Sequence, residues 1–169
     1  MIVTGGGTGG HFFPAQAIRK SLQNKGVEVK YIGSKFGVES YHYSSTSKDE
    51  LLLNIRGIQR HINVDSIIKN IIFPFRFLKS YIQSWIFLND FKPQVVIGTG
   101  GYSAGLPLLA AIHKGIKTVI QEQNSFPGIT TRYLASRVNG ICIAYHEVST
   151  HLKKKTQFSP GTRFEMIFI

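Results

Sequence analysis

Acidic residues are scarce: 9 Asp and Glu stand against 20 Lys and Arg in 169 residues, a formal charge of +11. Cysteine is almost absent, and Cys142 is alone. One thiol excludes an intramolecular disulfide framework and a cysteine-based zinc site. Within Gly140-Ile141-Cys142-Ile143-Ala144 it reads as a small buried hydrophobe. Charged residues are only 17% of the chain and hydrophobic ones 43%. That balance excludes wholesale disorder and allows one core, or one core with a tail. The start lacks the basic stretch and long apolar core of a secretory leader, so the chain reads as cytoplasmic. So strong a positive balance asks for an anionic partner. On charge alone nucleic acid, an anionic bilayer and a phosphorylated substrate are equally open.

What the chain does have is alternation. Apolar strands at Met1 to Thr4, Val27 to Ile32, Leu51 to Ile55, Gln94 to Gly98, Lys117 to Gln121 and Ile141 to Tyr145 are expected. Between them helices are expected at Pro14 to Lys25, Val64 to Phe91 (broken or kinked at Pro74), Ser103 to Lys114 and Gly128 to Arg137. Residues 33 to 50 have no clear period and read as loop or a short helix. Strand and helix alternating through glycine turns predict an α/β fold, a Rossmann-like parallel sheet with helices on both faces. In such sheets ligands bind at the carboxyl ends of the strands.

Glycine is plentiful, and it gathers where the first strand ends: Gly5-Gly6-Gly7-Thr8-Gly9-Gly10-His11. Glycines between a strand and a helix let a ligand approach the backbone, and the helix start favours an anion. Phosphate or pyrophosphate is the expected guest. Gly5, Gly7 and Gly10 also fit a dinucleotide-binding fingerprint, but that reading needs an acid after the second strand. The strand ends Tyr31-Ile32-Gly33-Ser34-Lys35, and Glu28 lies at its wrong end, so a dehydrogenase is disfavoured. His11 stands where a phosphate-binding loop would carry lysine, and it can donate to phosphate or act as acid or base near neutral pH. Gly98-Thr99-Gly100-Gly101-Tyr102-Ser103 repeats the device, and the pair of loops predicts a diphosphate or phosphorylated sugar spanning them. Tyr102 either stacks on a sugar or packs. Gln121-Glu122-Gln123-Asn124 ends the next strand in four polar residues, where Glu122 can accept a hydroxyl proton or hold a sugar hydroxyl.

Taken together, Gly6 to Pro14 with Ala17, Gly98 to Tyr102, and Glu122-Gln123-Asn124 followed by Gly128 resemble the MurG glycosyltransferases, in order and spacing over residues 1 to about 145. The resemblance implies the amino-terminal half of a GT-B fold, two Rossmann-like domains facing across a cleft. It implies an inverting hexosyltransferase acting in peptidoglycan synthesis. N-acetylglucosamine passes from UDP-N-acetylglucosamine to lipid I, the polyprenyl-diphosphate-linked muramyl-pentapeptide, giving lipid II with no metal or other cofactor. His11 is the first candidate base and Glu122 the second. Thr8, Gly9, Gly10 and Asn124 match donor-contacting positions, and Gly100, Gly101 and Tyr102 belong to the loops facing the acceptor diphosphate. Arg163, in Ser159-Pro160-Gly161-Thr162-Arg163, loosely matches a donor-contacting arginine. The sequence departs from the family at Gln121 (usually His), Thr131 (often Asn) and Ala104 (usually Ser).

The expected organisation is an acceptor- and membrane-binding domain at residues 1–158. Residues 159–169 then begin an interdomain connection or form an aberrant tail, and the donor-binding carboxyl-terminal domain is absent. Activity is expected only when such a domain is supplied, and a separate chain is one source of it. The alternative is a non-catalytic, membrane-recruiting subunit of a two-chain glycosyltransferase. Ile67 to Leu88 mixes apolar residues with Lys69, Arg76 and Lys79, too many charges for a membrane span. It suits a surface on anionic lipid, with Lys69, Ile72, Phe73, Phe75, Arg76, Lys79 and Trp85 as the contacts. The expected location is peripheral, on the cytoplasmic face of the bacterial inner membrane. Nucleic acid is not expected, because the basic residues are scattered and no recognition motif is present.

Overall fold

A computed structural model describes residues 1–43, 47–57, 64–152, 157–158 and 165–168, with backbone alone for 64–72, 157–158 and 165–168. Among the described residues eight strands form one sheet: β1 (Ile2–Thr4), β2 (Lys30–Ser34), β3 (Glu50–Leu53), β4 (Val95–Gly98), β5 (Lys117–Glu122), β6 (Gly140–Ile143), β7 (Gln157–Phe158) and β8 (Glu165–Phe168). Their order is β3-β2-β1-β4-β5-β6-β8-β7. The first six are parallel, and β8 and β7 join antiparallel beyond β6. The helices are α1 (Gly9–Gln23), α2 (Val64–Phe91), α3 (Tyr102–His113) and α4 (Ile129–Leu134).

Successive strand residues point to opposite faces, and the core divides accordingly. Val3, Tyr31 and Leu52 pack with Phe12 and Ala15 of α1. Ile2, Ile32, Leu53, Val96, Ile120 and Ile141 pack on the other face with Leu88 of α2 and Leu108 of α3. The α/β reading with helices on both faces therefore holds.

Several boundaries move, for local reasons. β2 begins at Lys30, not Val27, because Lys30 is the partner of Ile2 and the parallel ladder starts there. The chain's first amine donates to the Glu28 carbonyl at 2.6 Å. α1 begins at Gly9, one turn earlier than Pro14. Thr8 is extended and its carbonyl accepts from Phe12 N at 3.0 Å, which opens the helix. α2 runs unbroken through Pro74. One missing hydrogen bond is outweighed where a long helix is anchored by packing further along. Among its described residues the aperiodic stretch contains a 3-10 turn, Val38–Tyr41. α4 is shorter than expected, ending at Leu134, whose carbonyl then accepts from Arg137 N and Val138 N.

Candidate active site

The strand order reverses between β1 and β4: β1 is followed outward by β2 on one side and β4 on the other. Crossovers leave in opposite directions there, and the diverging loops open a crevice at the carboxyl ends of the strands. The loops after β1, β4 and β5 are the two glycine loops and the polar turn, so all three motifs meet on one edge.

The two glycine loops are built against each other. Gly101 has φ +77°, and a Cβ there would overlap the Gly6 carbonyl oxygen. Thr99 Oγ1 donates to the His11 carbonyl at 2.7 Å, and His11 Nδ1 lies 2.9 Å from the Thr99 carbonyl. The imidazole rests on Gly100 and Gly101, where any side chain would meet it. The first turn of α1 is thus held to the end of β4 by reciprocal hydrogen bonds.

The first loop also holds an anion already, and it belongs to the protein. Glu39, buried to 0% exposure, accepts from Gly7 N at 3.0 and 2.9 Å and from Ser34 N at 2.7 Å. Gly7 has φ +88°, which aims its amide at that carboxylate. A pyrophosphate at this amide would meet like charge, which argues further against a dinucleotide site. The crowding of glycine here serves mainly Glu39, Thr99 and the Tyr102 ring. Gly9 and Gly10 remain at the helix start, where amides lack partners inside the helix.

Glu122 is likewise buried, at 1% exposure. Oε1 accepts from Asn124 N at 3.1 Å and Asn124 Nδ2 at 2.9 Å, and Oε2 accepts from Gly128 N at 3.2 Å and Thr131 Oγ1 at 2.6 Å. Four donors saturate the carboxylate and tie the polar turn to the start of α4. Thr131 supplies one of them.

A cleft of about 820 Å³ opens beside these groups. His11, Gly100, Gly101, Tyr102 and Glu122 line it, while Thr8, Gly9, Gly10 and Asn124 do not. The rest of its wall is mostly apolar, from Phe73 and Phe77 of α2, Leu106 and Leu109 of α3, and Phe126, Ile129 and Leu134 around α4, with Arg56, Thr130, Thr131 and Arg132 set into it. Burial pushes the Tyr102 hydroxyl above its usual range, with the Ser34 hydroxyl opposing the shift. Among the described residues no three His, Cys, Asp or Glu side chains are grouped to hold a metal ion.

The expected membrane contacts separate by face. Phe73 and Trp85 pack against the core, and Lys114 Nζ sits 4.2 Å over the Trp85 ring. The helical period turns them inward. Phe75, Lys79 and, partly, Arg76 face outward. The side chains of Lys69 and Ile72 lie outside the described residues, and so does Arg163. Residues without an assigned role in the sequence reading were Glu39 and Gln123. Glu39 lies in the aperiodic stretch, where scarcity of acids was the only signal. Gln123 stands within the polar turn, where nothing in sequence told it from its neighbours.

Residues 1–143 match the family described as glycosyltransferase family 28 N-terminal domain. Curated relatives carry the name UDP-N-acetylglucosamine–N-acetylmuramyl-(pentapeptide) pyrophosphoryl-undecaprenol N-acetylglucosamine transferase. The Flavobacterium psychrophilum protein is 40% identical over 95% of this chain and 43% of its own length. The Lactococcus lactis subsp. cremoris protein is 39% identical over 99% and 46%, and the Bacillus subtilis protein 38% over 96% and 45%. The crystal structure of Acinetobacter baumannii MurG superposes with a TM-score of 0.69 at 29% identity, covering 86% of this chain and 41% of that one. The chain spans less than half the length of the curated relatives it matches. On its fold, its paired glycine loops and this match, the chain belongs to glycosyltransferase family 28, through the family's N-terminal domain.

Proposed function

We propose that this chain is the acceptor-facing half of an inverting transferase that moves N-acetylglucosamine from its UDP donor to lipid I. The observation that carries the reading is the placement of His11. Its imidazole lies on the second glycine loop, lines the cleft, and sits where three strand ends converge. In the reaction His11 takes the proton of the muramyl hydroxyl. The oxygen attacks the anomeric carbon, and UDP departs with the electron pair of the broken bond. Glu122 acts through the turn it braces, since four donors already fill its carboxylate. That is a positioning role and not that of a second base. Gly100, Gly101 and Tyr102 border the acceptor diphosphate, while Thr8, Gly9, Gly10, Asn124 and Arg163 belong with the donor.

The relatives' names support the substrates, and the apolar wall supports a lipid-linked acceptor. On α2, Phe75, Leu78, Ile82 and Ile86 are 75%, 58%, 47% and 52% exposed at spacings of three, four and four. That is one stripe of the helix, beside the exposed Lys79. No described helix is long and apolar enough to cross a membrane. A stripe resting on anionic lipid would bring the diphosphate to the cleft from below, a peripheral placement.

The test is a transfer assay with labelled UDP-N-acetylglucosamine and lipid I. The 169-residue chain alone should give no turnover, and adding the carboxyl-terminal domain of a close relative should restore it. His11→Ala should then lower turnover by about 100-fold or more, as loss of a general base does. Turnover by the chain alone would overturn the half-enzyme reading. Acceptor binding with no rescue would favour a recruiting subunit.

A further inference from the structure

Gln123 and the Thr99 carbonyl converge on one atom. His11 Nδ1 is 2.9 Å from the Thr99 carbonyl oxygen and 2.6 Å from Gln123 Nε2, while Gln123 Oε1 is buried with no hydrogen-bond partner among the described residues. A carbonyl only accepts, so a short contact with it requires the proton on Nδ1. The opposite tautomer would set the Nδ1 lone pair against the carbonyl lone pairs. The backbone carbonyl is fixed by strand β4 and cannot turn away. The Gln123 amide can turn: its oxygen and nitrogen have the same shape, and their assignment follows the hydrogen bonds. With Oε1 towards the ring, both neighbours accept from the one Nδ1–H. His11 Nε2 has no hydrogen-bond partner among the described residues, and His11 lines the cleft.

We infer that Gln123 and the Thr99 carbonyl are positioning groups that hold His11 as its Nδ1–H tautomer, keeping Nε2 as the ring's proton acceptor. The use of that acceptor rests on the reading of His11 as the base, whereas the tautomer itself does not. The arrangement matters for a base because a freely exchanging neutral imidazole presents the wrong nitrogen part of the time. It also explains why a glutamine follows Glu122: the buried carboxylate pins the turn, and the turn delivers the amide to the ring.

Long-range proton–nitrogen NMR of the imidazoles reads the tautomer directly, with the His11 signal assigned by its loss in His11→Gln. In the unaltered chain, above the pH at which the ring is charged, Nδ1 should show the protonated nitrogen shift and Nε2 the unprotonated one. Gln123→Leu should move the balance towards Nε2–H by roughly two- to tenfold, the equilibrium worth of one hydrogen bond. Gln123→Glu, which keeps an acceptor and adds charge, should hold Nδ1–H more strongly than glutamine does. An Nε2–H ring in the unaltered chain overturns the inference. So does a balance unmoved by both substitutions, and if Gln123→Leu does not fold, an unmoved balance in Gln123→Glu is decisive. A normal tautomer with full turnover in His11→Ala would instead remove the base and leave the tautomer standing.

Discussion

Glu39 illustrates how much of the loop is internal. Its carboxylate satisfies the Gly7 and Ser34 amides with no exposure to water. Removing it leaves the buried Ser34 amide and the half-buried Gly7 amide unpaired, at up to about 1–3 kcal/mol each. Glu39→Ala is therefore expected to lower stability by about 2–5 kcal/mol, read as a shift in urea midpoint, and an unchanged midpoint would contradict the bracing role. Tyr31 gives a prediction in pH. It is fully buried, its hydroxyl donates to the Gly5 carbonyl, and burial holds its pKa well above the ordinary 10.0, with Glu39 adding to the rise. The unfolded chain ionises this phenol first. The stabilisation is complete below pH 10.0 and is lost as pH climbs beyond it. Tyr31→Phe should flatten the alkaline fall in thermal stability at the cost of one hydrogen bond, about 1 kcal/mol. An alkaline limb identical to that of the unaltered chain would assign the fall elsewhere.

At the scale of elements, α2 has two jobs on two faces. Leu88 is 0% exposed and Ile86, two residues before it, is 52% exposed. Leu88→Ala should cost about 2–5 kcal/mol through lost burial and a cavity. Ile86→Ala should change stability by no more than about 0.5 kcal/mol. Equal losses in the two variants would mean that the outward stripe is packed in solution. The loops divide in a similar way. Gly101 admits the Gly6 carbonyl and carries φ +77°, so Gly101→Ala should separate the loops and disturb the His11 ring, seen as a change in its NMR signals. An undisturbed His11 spectrum would show that the loops do not depend on that contact.

For the whole molecule, charge and the exposed stripe act together. A formal +11 with an apolar band on α2 predicts binding to vesicles containing anionic lipid that weakens as salt rises. Replacing Phe75, Leu78 and Ile82 with serine should reduce vesicle binding by about tenfold or more, since each buried apolar side chain is worth about 1.5–3 kcal/mol. The substitutions lie on the outward face, so the fold should be kept, as circular dichroism can verify. Binding that is insensitive to both salt and these changes would place the membrane face elsewhere.

The amino-acid order was enough to define the alternating layers, the paired glycine loops and the polar turn, because each rests on local chemistry: period, turn residues and helix starts. The family pattern was legible for the same reason, carried by contiguous runs such as Gly6 to Pro14 and Gly98 to Tyr102. Contacts between residues far apart in the chain were not legible. Glu39 reaches Gly7 across 32 positions, Thr99 meets His11 across 88, and Gln123 meets it across 112. Strand order brings them together, by setting β1 beside both β2 and β4, and β4 beside β5. The same packing turned Phe73 and Trp85 inward and Phe75 outward, a choice that composition cannot make because all three are equally apolar. Sequence thus determined which groups were available for the chemistry. Tertiary structure decided that the first loop's amide is filled by Glu39, that Glu122 is a brace, and which nitrogen of His11 is held.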